Sequence, residues 1–82
     1  MGVWIRTQNK KELVEVCAIE RDEDNLCEIV GTSITQDFYT LGKYSQTWKV
    51  VKVLNAIEDH INDRRYNFSD NVFKMPADEE VH

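Results

Sequence analysis

Leu41-Gly42-Lys43-Tyr44-Ser45 hands the chain from one kind of secondary structure to another. Beyond it, apolar residues recur at Val50, Val53, Leu54, Ile57 and Ile61, at intervals of three and four. That spacing sets five aliphatic side chains on one stripe and predicts an α-helix from about residue 46 to about residue 62 or 64. Ser45 is the predicted N-cap, its hydroxyl accepting from an otherwise unpaired amide of the first turn. A sheet-forming half is thus followed by one amphipathic helix, which must bury its stripe on the sheet.

Upstream of the handover the pattern alternates. Residues 3–8 read as a strand with Trp4, Arg6 and Gln8 on one face and Val3, Ile5 and Thr7 on the other. Asn9-Lys10 is a polar turn without the glycine that marks a tight hairpin. Residues 12–20 form the second predicted strand, and Arg21-Asp22-Glu23-Asp24-Asn25 a charged loop tip. Residues 26–34 are the third, in which Gly31 marks a bulge or a close backbone approach, and residues 38–44 the fourth. Past the helix, Val72-Phe73-Lys74-Met75 is a short strand-like run that Pro76 must end. The expected fold class is α+β: an antiparallel meander of four to five strands with one amphipathic helix packed on one face. Residues 1–76 make one domain, and 77–82 an acidic tail expected to be loosely held.

Eighty-two residues allow only a small core, since a chain of this length buries about 60–65% of its unfolded surface. Pairing with a second copy would add burial, so a homo-oligomer is expected. Ten Lys and Arg against fifteen Asp and Glu leave a net charge of −5, which disfavours sequence-independent binding to a nucleic-acid backbone. The start of the chain lacks the basic and apolar regions of a secretory signal. Arg6 stands where a myristoylation motif needs Ser or Thr, and no apolar run is long enough to span a membrane. A cytoplasmic location is expected.

Few residues have the chemistry of a reaction centre. Cys17 and Cys27 fall on neighbouring strands as free, small hydrophobes. They share no recognised metal-ligand spacing with His60 or His82. No catalytic residue, metal ligand or cofactor is assigned, and the chain reads as a non-enzyme. One grouping suits an anionic ligand: Arg6 and Lys43 from strands and Arg64 and Arg65 from the helix end, with Trp4, Tyr44, Tyr66 and Phe68 to stack on a base. A second feature is Trp48, which lies opposite the apolar stripe with Val51 one turn on; together they predict a partner or subunit interface.

Several segments, in order along nearly the whole chain, carry a resemblance. They are Trp4-Ile5-Arg6-Thr7-Gln8-Asn9-Lys10-Lys11, Leu41-Gly42-Lys43-Tyr44-Ser45, Lys52-Val53-Leu54 and Val72-Phe73-Lys74-Met75-Pro76. The chain resembles small accessory proteins of phages and prophages of Gram-positive bacteria, of a four-strand-plus-helix type. It departs from their charged helix start at Gln46-Thr47-Trp48-Lys49-Val50-Val51. By analogy of size and composition, the resemblance implies a counter-defence factor. One form sequesters a cyclic nucleotide made by a host immune system. The other binds a host defence protein directly, and a small nucleic-acid-binding regulator is the third reading.

Overall fold

A computed structural model describes residues 2–62 and 72–82. The described residues form an α+β fold: six strands in two mainly antiparallel sheets, with one helix. Strands β1 (Val3–Arg6), β2 (Leu13–Val16) and β6 (Val72–Lys74) make one sheet in the order β2-β1-β6. Strands β3 (Ala18–Arg21), β4 (Glu28–Thr32) and β5 (Phe38–Lys43) make the other, an antiparallel meander. Helix α1 spans Thr47–Asn62, and a 3-10 turn spans Asp78–Glu80.

The alternation in β1 holds: Ile5 and, beyond the strand end, Thr7 are buried, while Trp4 is exposed. The second predicted strand is broken in two at Cys17. Its apolar phase explains why: Val14 and Val16 are two apart, but Ile19 follows after three, so the inward face flips at the break. At that corner the chain leaves one sheet for the other, and the Cys17 amide donates to the Thr32 carbonyl at 2.8 Å.

Gly31 is the close approach rather than the bulge. A Cβ there would stand 2.7 Å from Val16 Cγ1 and 3.1 Å from Leu41 Cδ1, so the two sheets touch over a bare backbone. The bulge lies one residue away, between Ile29 and Val30, where Leu41 of β5 is the extra residue. It turns Leu41 fully into the core and allows Tyr44 to point inward after it.

The second closure of the two sheets is made at Gln8. Its amide donates to the Leu41 carbonyl at 2.9 Å, and its side chain bonds Lys43. β6 joins β1 in parallel, unlike the antiparallel pairing of the meander, and the Met75 amide continues the ladder to the Arg6 carbonyl at 3.0 Å.

From α1, Val50, Val53 and Ile57 enter the core beside Ile5, Val16, Ile29 and Leu41. Burial of such side chains stabilises by about 1.5–3 kcal/mol each. Leu54 is half-buried, and Ile61 is 54% exposed, so the predicted stripe ends a turn early. Ser45 is not the N-cap. The helix begins at Thr47, and the Ser45 amide and hydroxyl both donate to Asp78 Oδ1, at 2.8 and 3.1 Å.

That contact also corrects the expected loose tail. The Tyr44 hydroxyl donates to the Pro76 carbonyl at 2.8 Å, Lys49 Nζ to the Asp78 carbonyl at 2.8 Å, and Lys52 Nζ to the His82 carbonyl. Val81 lies in the core. Residues 77–82 are therefore a docked strap across the start of α1.

Candidate functional site

Arg6 ends β1 on the outward face of its sheet, opposite Leu13 of β2 and beside Lys74 of β6. The parallel register matters here, because it sets two cations side by side on adjacent strands. A third cation, Lys10, comes from the turn after β1. Its amide donates to the Thr7 carbonyl at 2.9 Å, and Arg6 Nη1 lies 3.4 Å from its carbonyl. Arg6, Thr7, Lys10, Lys74 and Met75 line a cavity of about 410 Å³, and among the described residues no carboxylate lines it.

The turn is held rigidly for its length. Buried Thr7 donates through its hydroxyl to Asn9 Oδ1 at 2.7 Å and receives the Glu12 amide at 3.3 Å; the Lys11 amide also donates to Asn9 Oδ1. Lys10 has φ 67°, the left-handed region where glycine is the usual residue. A lysine there costs about 1–2 kcal/mol of backbone strain. Strain of this kind concentrates where a side chain is needed in place.

The other residues expected at an anionic-ligand pocket are scattered. Lys43 pairs with Glu28 at 3.2 Å and lines a separate groove of about 430 Å³ beside Gln8 and Tyr39. Tyr44 is only 5% exposed and spends its hydroxyl on Pro76, so it offers no stacking face. Burial, helped by the charges of Asp78 and Glu80, pushes its phenol well above the usual range. Arg64, Arg65, Tyr66 and Phe68 lie outside the described residues. Beside Arg6 the cavity is lined instead by Lys10 and Lys74. The Lys10-Lys11 doublet was a visible signal, whereas the pairing of Lys74 with Arg6 depends on a parallel register that no local pattern announces.

The predicted interface pair is where the helical wheel put it. Trp48 is 47% exposed, with Val51 nearly as open. Lys49 and Lys52 hold their amines 5.6 and 5.5 Å from the indole centre, within cation–π range.

Cys17 and Cys27 sit at opposite ends of the β3–β4 ladder: Cys17 bonds Thr32, while the Cys27 carbonyl accepts from the Tyr44 amide. Cys17 is exposed rather than buried. Among the described residues, no group of three or more His, Cys, Asp or Glu is placed to hold a metal ion, and no helix is long and apolar enough to cross a membrane. No protein-family model matches the chain, and no curated protein or solved structure shows significant similarity to it.

Proposed function

We propose that the chain is a non-catalytic binding protein that sequesters a phosphorylated small ligand, its phosphate held between Arg6, Lys10 and Lys74. The cavity these residues wall supports the reading best. In a chain of net charge −5, three of the eight Lys and Arg among the described residues converge on one concavity, and no described carboxylate lines it. Guanidinium and ammonium groups together suit a phosphate, the first by paired planar hydrogen bonds and the second as point charges. The described lining offers cations, a hydroxyl and a thioether, which suits holding an anion, so binding rather than turnover is proposed.

The resemblance to small phage and prophage accessory proteins supplies the biological setting of the proposal. In it the protein is a counter-defence factor in the cytoplasm of the host cell, and the ligand is a signalling nucleotide of host immunity. Calorimetric titration with a panel of cyclic ADP-ribose isomers and cyclic oligonucleotides tests this. At least one should bind, and Arg6→Ala and Lys74→Ala should each weaken it about tenfold, the scale of a lost charge-assisted hydrogen bond. Unaltered affinity in both variants would remove the site.

A second reading rests on Trp48 and Val51, whose exposure on one helix face suits a protein partner, either a host defence enzyme or a second copy of this chain. Light scattering beside a pull-down from host lysate addresses it. A wild type that is one chain at micromolar concentration, and that captures nothing that Trp48→Ala fails to capture, rules it out.

A further inference from the structure

The sheet face that carries Arg6 and Lys74 also presents an aromatic ring and, beyond it, a carboxylate. The register places Glu15, Trp4 and Val72 in one row across β2, β1 and β6, and Leu13, Arg6 and Lys74 in the next. Trp4 is 41% exposed, high for an indole in the central strand of a sheet. Glu15 Cγ lies 2.8 Å from where a Cβ on Gly2 would stand, so this side chain leans over Gly2, away from Arg6. The outward face therefore sets the Glu15 side chain of β2 toward Gly2, with the Trp4 indole and then the Arg6 guanidinium along β1.

Two residues along a strand lie about 6.6 Å apart, close to the reach from base to phosphate within one nucleotide. We propose that the ligand of this face is a nucleotide lying along β1, its base stacked on Trp4 and its phosphate between Arg6, Lys10 and Lys74. This rests on the anion-binding reading above and names its ligand class. Stacking on an exposed indole accepts any base, because each has a π-face. The carboxylate of Glu15 sets the direction: it repels a second phosphate at the far end and accepts N–H donors from a base edge. Guanine carries two such donors side by side, which match a carboxylate in the paired manner.

The chain holds two tryptophans, so Trp48→Phe leaves Trp4 as the sole indole reporter. In that background, guanosine 5′-monophosphate, guanosine and inorganic phosphate are titrated by fluorescence and calorimetry, with and without Trp4→Leu. The monophosphate should quench Trp4 and bind at least tenfold tighter than inorganic phosphate. Trp4→Leu should erase that advantage, since stacking is worth 1–3 kcal/mol per base, while leaving the affinity for phosphate unchanged. If both ligands bind equally and Trp4 fluorescence does not respond, the stacking inference is overturned and the anion site stands. If neither binds, the anion site itself has failed. The quench is read on a protein that keeps Trp4, so it decides the matter even if Trp4→Leu does not fold.

Discussion

The side-chain amide of Gln8 pairs with both backbone groups of Lys43: Oε1 accepts the Lys43 amide at 2.8 Å, and Nε2 donates to the Lys43 carbonyl at 2.9 Å. A side chain here does what another stretch of strand would do, joining the end of β1 to the edge of β5. Nε2 also lies 3.3 Å from the Pro76 carbonyl, so one glutamine ties three segments together. Gln8→Ala should lower the stability to denaturant by about 1–3 kcal/mol, two to three neutral hydrogen bonds at roughly one each. An unchanged midpoint would mean the sheets close without it.

The helix offers an internal comparison. Ile57 is buried and Ile61 exposed on the same predicted stripe. Ile57→Ala should cost about 2–4 kcal/mol through the cavity it leaves. Ile61→Ala should fall within about 0.5 kcal/mol, as for other surface changes. Urea titration of both variants checks the docking of α1, and equal losses would contradict it.

Tyr44 should make the fold sensitive to alkali. Its phenol is raised in the folded state, so its contribution is complete below the unfolded value of about 10 and is lost as pH rises beyond it. Tyr44→Phe should cost about 1 kcal/mol at pH 7 through the lost bond to Pro76. It should also flatten the decline of stability above pH 10. A steeper alkaline decline in the variant would refute this.

Asp78 acts at the other end of the scale. The Ser45 amide holds its carboxylate below the usual range against an opposing burial effect, with the Ser45 hydroxyl and Lys49 assisting. A depressed value means the folded state binds fewer protons, so stability is present above the unfolded value of about 3.9 and is lost as pH falls through the folded one. Asp78→Asn should therefore be less stable than wild type at pH 7, and the gap should close in acid. Thermal unfolding across pH 2–7 measures it.

Lys10 separates binding from folding. Its left-handed backbone is one that glycine adopts freely, so Lys10→Gly should raise stability by up to about 1 kcal/mol. The same change removes a cation from the cavity wall and should weaken phosphate binding. A variant that gained stability and kept full affinity would take Lys10 out of the site.

Alternation in β1, the 3–4 spacing in α1 and the stop at Pro76 were legible in the sequence because each depends on neighbours within a turn or a strand. From these the α+β class, the inward faces of Ile5, Val50, Val53 and Ile57, and the exposure of Trp48 all follow. Even the break at Cys17 left a trace in the slip of apolar phase between Val16 and Ile19. The grouping of cations was only half legible: Arg6 lies on the outward face, while Lys43 and Tyr44 are set apart from it, and Arg64, Arg65, Tyr66 and Phe68 lie outside the described residues.

What decided the rest was pairing between segments far apart in the chain. The parallel register of β6 brings Lys74 beside Arg6, the docked strap takes Ser45 from the helix cap to Asp78, and the bulge at Leu41 turns Tyr44 inward. Local pattern tells which face of an element is apolar, since periodicity sets it. Which element lies alongside, and in which direction, depends on the packing of the whole core, and there the sequence by itself has no say.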